Sequence, residues 1–333
     1  MVEFSAVPAP DSQAQLAVAT ALGATPRGAS YGAFAAPAVW LAGCQDNVPA
    51  TPLKRPRVIV FASENAIAHR TFEGHGLSAY APEATSEQIE EVNNNAGPIH
   101  RLAIAADASV ELVILDLTAG AIDAENALSS EDFATALQKG VDTANREIDS
   151  GADLLIPADL TVANTTVAAA VMGVLTRTEP VAIVGPGSGT TDAMWKTKVA
   201  VIRDAMFRAR NFATSPKELL QVIGNADLVA EAALIAQAAS RRTPVLISGM
   251  FSAVAAAVAE RLAPGTQAWC CAADITAEPA HVLALQDLSL TPLLNLDMST
   301  GQGLGGLVAL PMIRSSVELI ADEVTVISQA LED

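Results

Sequence analysis

Short runs of apolar, mostly β-branched residues recur along this chain, each followed after a turn by a longer run with helical spacing. Residues 58–62 (VIVFA), 110–117 (VELVILDL), 152–156 (ADLLI), 181–184 (VAIV), 244–247 (PVLI), 267–272 and 292–296 (PLLNL) read as strands. Residues 11–22, 86–95, 130–150, 164–175, 193–208, 228–239, 253–262, 279–288 and 303–332 read as helices. Thr85 or Ser86 serves as cap for the second helix, and Ser129 or Ser130 for the third. Apolar strands without polar alternation are buried on both faces. Their alternation with helices predicts an α/β fold with a doubly wound parallel sheet, the strand 292–296 ending it. Residues 23–53, rich in Pro, Gly and Ala, read as an irregular connection, and 64–85 as mostly loop. The two chain ends are helical without strands. They predict a small helical subdomain (residues 1–50 with 312–333) beside a large α/β domain (residues 51–311).

In such sheets ligands bind at the carboxyl ends of the strands, so the turns there carry the chemistry. After 181–184 come Gly185, Pro186, Gly187, Ser188, Gly189, Thr190, Thr191 and Asp192. The glycines admit a ligand close to backbone N–H groups, and the last three are N-cap residue types at the positive end of a helix. This is either a phosphate site or an ordinary turn before a helix. The G-x-G-x-G spacing differs from the dinucleotide fingerprint and counts against a nucleotide-dependent oxidoreductase.

After 152–156 come Asp159 and Thr161, then Asn164, Thr165 and Thr166, which either cap the next helix or offer donors to a phosphate and ribose. Lys198 lies one to two turns into its helix, as a point charge for an anion or a solvated surface lysine. After 292–296, Asp297 leads to Gly301, Gln302, Gly303, Gly305 and Gly306, another tight glycine turn. His281 reads as an ordinary helix residue. The helix 228–239 carries Glu231 and reads as a covering helix. No metal-ligand spacing, nucleophile elbow or triad is present, so neither a metal nor a cofactor is expected.

Composition narrows the picture further. The chain has 333 residues, is 51% hydrophobic and only 4% aromatic, so its core is built from Ala, Val, Leu and Ile. A net charge of −18 argues against nucleic acid and anionic membranes as partners. Cys44, Cys270 and Cys271 form no C-x-x-C pair and read as buried thiols of a reducing cytoplasm. Neither a signal peptide nor an uncharged apolar stretch of about 18 residues is evident.

Taken together the turns resemble those of the nicotinate-nucleotide:dimethylbenzimidazole phosphoribosyltransferase family. The matching stretches are Phe61-Ala62, Gly76-Leu77-Ser78-Ala79-Tyr80, Ala163 to Thr166, and Val184 to Gly189 with Asp192 and Lys198. Pro244 to Gly249, Ala277 to His281 and Leu294 to Asp297 with Gly301 to Gly305 complete the set, in order from about Arg57 onward. The resemblance implies a Rossmann-like large domain, a small helical domain and a homodimer. It implies transfer of a phosphoribosyl group from nicotinate mononucleotide to a benzimidazole-type base, without a cofactor. Gly185, Gly187, Ser188, Gly189, Asn164, Thr165, Thr166 and Lys198 would hold the phosphoribosyl group. Ser78, Tyr80, Glu87 and Gln302 would line the pocket for the base.

Five departures stand out. The family has a glutamate, the general base, where this chain has Gln302, and an amide cannot take a proton at neutral pH. The family's other active-site glutamate aligns with Asp159, one methylene shorter. An Asp-His-Gly has become Glu64-Asn65-Ala66, the loop arginine is Pro186, and an acid near the Pro-Val-Leu strand is Ser248. Asp159, first, or Glu87 is the substitute base on this reading. The alternative is a non-catalytic or heteromeric homologue that binds nucleotide or base.

Overall fold

The computed structural model describes residues 2–185 and 187–332. Five strands form one sheet: β1 (Pro56–Asn65), β2 (Ser109–Ala119), β3 (Leu154–Asp159), β4 (Val245–Ile247) and β5 (Cys270–Ala272). All pairings are parallel and the order is β2-β1-β3-β4-β5. This is one of the two common doubly wound orders, with its switch point between β1 and β3.

The strand period of two places Ile59 and Phe61 in one apolar core and Val58, Val60 and Ala62 in the other. The first core is closed by helices Ser130–Asp149, Asn164–Thr176, Ala226–Ser240 and Gly249–Leu262. The second is closed by Ser12–Gly23, Ala36–Gln45, Gly97–Ala105 and Leu304–Glu332, so both chain ends pack over the same face of the sheet. The ends are also tied directly, by Arg27 to Glu323 at 2.8 Å and by the Ser316 hydroxyl donating to Phe34 O at 2.5 Å. Residues 304–329 are long and apolar enough to cross a membrane by composition. In the fold, Leu307, Leu310, Ile313 and Val317 of that helix are buried in the second core.

Several expectations are corrected. Residues 181–184 are no strand: 181–183 belong to a short helix, Pro180–Ile183, and Val184 follows it in extended conformation. Pro180 at its first turn starts a helix readily, and β3 pairs directly with β4, leaving no slot in the sheet. Residues 292–296 do not end the sheet: Leu294–Asn295 pairs with Asp274–Ile275 in a separate two-stranded ladder. The connection 23–53 contains two α-helices, Pro26–Ser30 and Ala36–Gln45. Gly97–Ala105 and Pro216–Ile223 are helices without a counterpart in the sequence reading. Helix Ala84–Asn93 starts at Glu83 without a side-chain cap, so neither Thr85 nor Ser86 caps it. Thr85 instead accepts from Val162 N. Cys271 is only half-buried, whereas Cys44 and Cys270 are buried.

Helix Ala226–Ser240 is the largest revision. It lies against β1 and β3 beneath helix Ser130–Asp149, and Glu231 is fully buried rather than on a covering surface. Gly140 permits this layering, because a methyl group there would collide with the Ala230 carbonyl.

Candidate active site

A cleft of about 160 Å³, open at its mouth, lies over the carboxyl ends of β3 and β4. At its floor, β3 ends in Asp159. Burial raises the Asp159 carboxyl from the usual carboxylate range to about 7. The Asn164 amide opposes the rise and the charge of Asp227 adds to it.

Asn164, Thr165 and Thr166 do not cap their helix. The cap position is Ala163, held at φ 71°, and no side chain closes it. Asn164 turns inward instead. Its Nδ2 donates to Asp159 Oδ2 at 2.9 Å and to Asp227 Oδ2 at 3.0 Å. Its Oδ1 accepts from Asn65 Nδ2 at 2.9 Å and Asn225 Nδ2 at 2.6 Å. Asn65, one of the departures from the family pattern, thus belongs to the network that orients Asp159.

One side of the cavity is built around Lys198, which is buried at 2% exposure and is no surface lysine. Its Nζ donates to Thr165 Oγ1 at 3.0 Å. Burial lowers its ammonium below the usual lysine value, opposed by the negative Glu278. Glu278 Oε1 accepts from Gly187 N at 2.7 Å. Gly185 allows this, since a methyl there would run into the Glu278 carboxylate. Thr191 caps the following helix, Asp192–Ala209, accepting from Met194 N at 3.3 Å. Ser188 Oγ donates to Ser299 O at 2.6 Å and ties this loop to the last glycine turn. Pro186 lies outside the described residues.

On the other side Gly301, Gln302 and Gly303 have φ of 68°, 55° and 68°. Glutamine in the left-handed region is strained, and here the strain points a buried amide at the cavity. Gln302 N donates to Asp159 O at 3.1 Å, and its Nε2 donates to Gln88 Oε1 at 2.8 Å. Gln302 Oε1 is buried without a partner.

Of the residues singled out from sequence, Ser78, Tyr80, Asp159, Asn164, Thr165, Gly187, Ser188, Lys198 and Gln302 line the cavity. Gly185 and Gly189 frame the loop without lining it, and Thr166 is buried in the helix behind. Glu87 is exposed on its helix and does not line the cavity, whereas its neighbour Gln88 does. The reading missed Gln88, Asp227 and Asp274, and gave Glu278, a residue of a matching turn, no role. A residue one position beyond Glu87 on the helix faces a different direction, which spacing alone does not resolve. Asp274 accepts from Gly249 N at 3.0 Å beside Ser248, so a carboxylate does stand near the position where the acid is missing. Burial raises the Asp274 carboxyl, opposed by Gly249 N–H and Ser248. Among the described residues no set of three or more His, Cys, Asp or Glu side chains is arranged to hold a metal ion.

His281 is buried below this site as an ordinary structural residue. Its Nδ1 accepts from Thr276 N at 3.1 Å, and burial lowers its pKa to about 4. A folded value below the unfolded 6.5 means that stability is lost as pH falls from 6.5 toward 4. The loss is about 3 kcal/mol. The carboxyl contributions are common to both proteins, so urea unfolding at about pH 7 and about pH 4.5 should show that His281→Asn, relative to the wild type, is less destabilised on going to the lower pH by roughly this amount.

A family model described as phosphoribosyltransferase matches residues 7–330. The nicotinate-nucleotide--dimethylbenzimidazole phosphoribosyltransferase of Corynebacterium efficiens is 43% identical over 85% of this chain and 79% of its own length. The protein of that name from Mycobacterium tuberculosis is 39% identical over 98% of this chain and 93% of its own. Among solved structures, CobT from Thermus thermophilus superposes with a TM-score of 0.85 at 26% identity, covering 92% of this chain and 96% of that one.

Proposed function

We propose, from the premise that this chain belongs to the phosphoribosyltransferase family, that it moves the phosphoribosyl group of nicotinate mononucleotide to dimethylbenzimidazole or a related base. One observation carries this reading. The tuned carboxylate of Asp159 stands at the floor of a cavity with a buried cation on one side and a strained, hydrogen-bonding glutamine turn on the other. A phosphate-bearing donor on the side of the cation and an uncharged heterocyclic acceptor on the side of the glutamine turn fit that polarity.

In this mechanism Lys198, Thr165 and the Gly185–Gly189 loop hold the phosphate and ribose. The bond from the ribose carbon to the pyridinium nitrogen breaks, and its electron pair leaves with nicotinate. The neutral imine nitrogen of the incoming base forms the new bond. The base then carries a surplus proton on its other nitrogen, and Asp159 takes it. While ionised, Asp159 also stabilises positive charge on the ribose carbon. Gln302 and Gln88, joined to each other, orient the base together with Ser78 and Tyr80. Residues 1–50 with 312–333 act as the small helical subdomain, and the enzyme works as a cytoplasmic homodimer.

The direct test measures nicotinate release from nicotinate mononucleotide with and without dimethylbenzimidazole, followed by chromatography for the α-riboside phosphate. Base-dependent product supports the transferase. Ligand binding without product would instead identify a binding homologue or a subunit lacking its partner. Gln302→Glu probes the missing base. With Asp159 in that role, the variant should change kcat by less than about tenfold, well short of the 10²–10⁴ that general-base assistance supplies. A gain of 10² or more would show that no base operates in the wild type.

A further inference from the structure

The most unusual feature outside the cavity wall is the pair Asp227 and Glu231. They are one helical turn apart on the same face of the buried helix Ala226–Ser240, and both are 0% exposed. Both oxygens of Glu231 and Oδ1 of Asp227 have no hydrogen-bond partner. Native proteins rarely leave buried carboxyl oxygens in that condition.

A donor count shows where the missing hydrogen belongs. Both amide hydrogens of Asn164 are used, one on Asp159 and one on Asp227. Ser252, on helix Gly249–Leu262, lies near Glu231, where a donated hydrogen would favour the charged form, but its one hydroxyl hydrogen goes to Pro157 O at 3.1 Å and no hydrogen bond to Glu231 closes. Thr161, near Asp227, donates to Ser63 O at 3.2 Å. Ser63 Oγ also lies near Asp227 but closes no hydrogen bond. The groups that act on Glu231 are therefore Ser252, Asp159 at the end of β3, and Asp227 on its own helix. Each presents an acceptor. An ionised Glu231 is acceptor-only and would have nothing to accept from, whereas a protonated one supplies a donor.

We propose that Glu231 is the neutral acid of this cluster, donating its proton toward Asp227 Oδ1 and keeping Asp227 charged. Through Asp227 and the Asn164 amide it acts as a positioning residue for Asp159. Burial pushes the Glu231 carboxyl well above its ordinary range, and the neighbouring charge of Asp159 adds to this. Burial holds the Asp159 carboxyl up, at about 7, and the charge on Asp227 adds to the rise. This inference deepens the transferase reading and rests on it for the kinetic consequence alone.

The test begins without substrate. Infrared spectra of the wild type above neutral pH should show the carbonyl band of a protonated carboxyl group, and Glu231→Gln should lack it. A wild type without that band, or a band that survives the substitution, overturns the proposal whether or not the protein is a transferase.

The kinetic arm follows the pH dependence of kcat/KM. Glu231→Gln keeps a neutral donor and should leave the acid limb in place. Movement of that limb to lower pH would mean that Glu231 is charged in the wild type, and would overturn the proposal. Glu231→Met removes the donor, so Asp227 keeps the proton itself and no longer repels charge on Asp159. The limb should then move down by about one pH unit, raising kcat/KM at about pH 6 several-fold relative to its own plateau. An unmoved limb in Glu231→Met leaves Glu231 a packing residue only. If wild-type turnover is absent, the transferase reading fails while the infrared result still decides the state of Glu231.

Discussion

Asp159→Asn should lower kcat by about 10²–10⁴ at neutral pH, with KM for nicotinate mononucleotide changed by no more than a few-fold. The substitution is conservative toward the structure, because an asparagine oxygen can still accept from Asn164 Nδ2. What it loses is the ability to carry charge and to take a proton. The wild-type rate should rise with pH through about 7, as Asp159 ionises, and then level off. The variant should lose this limb. A folded value above the unfolded one has a second consequence: the wild type loses stability as pH rises from the unfolded carboxylate value toward 7. The asparagine variant escapes that loss and should melt no lower than the wild type above neutral pH. Unchanged turnover in a folded variant removes Asp159 from the mechanism.

Lys198→Met carries the second-largest effect. Lys198 is buried, and its hydrogen-bond partner on this side of the cavity is Thr165. A phosphate entering there meets a charge already stripped of water, so the interaction is strong and its loss leaves the ligand charge unpaired. Removing one partner of such a pair costs about 2–5 kcal/mol, or roughly 30-fold to several thousand-fold in affinity. The variant should raise KM for nicotinate mononucleotide accordingly, with a smaller change in kcat. Calorimetric titration checks the affinity directly. Because burial lowers the ammonium, affinity in the wild type should decline on the acid side of the ordinary lysine value of 10.5 as pH rises. Lys198→Met should show no such decline. Nicotinate mononucleotide binding within about threefold of wild type, a difference under 1 kcal/mol, would place the phosphate elsewhere.

The sheet and most of its helices were legible because their signals are local. A run such as 58–62 is apolar at every position, and only a strand covered on both faces buries all of them. The Ser129 and Thr191 caps were equally readable, since a cap is a contact between neighbours in sequence. The stretch 181–184 looked the same by composition. Its first three residues became helix because Pro180 starts one and because β4 already occupies the place beside β3.

The sequence by itself determined that this is a parallel α/β protein, that its chemistry gathers in the turn after 152–156 and in two glycine-rich loops, and which family pattern those turns follow. It determined this because strand runs, helix starts and glycine turns depend on residues close together in the chain. Only the tertiary structure decided that Asn164 turns inward to join Asp159 and Asp227, partners 5 and 63 positions away. It also decided that Lys198 and Glu231 are buried, that Gln88 rather than Glu87 reaches the cavity, and that Glu278 braces the Gly185–Gly189 loop from 91 positions away. A polar side chain on a helix reads as solvated until other elements cover it, and for Glu231 these are the end of β3 and helix Gly249–Leu262. Desolvation is the physical reason for both shifted carboxyls, and it is a property of packing that no local pattern of residues records.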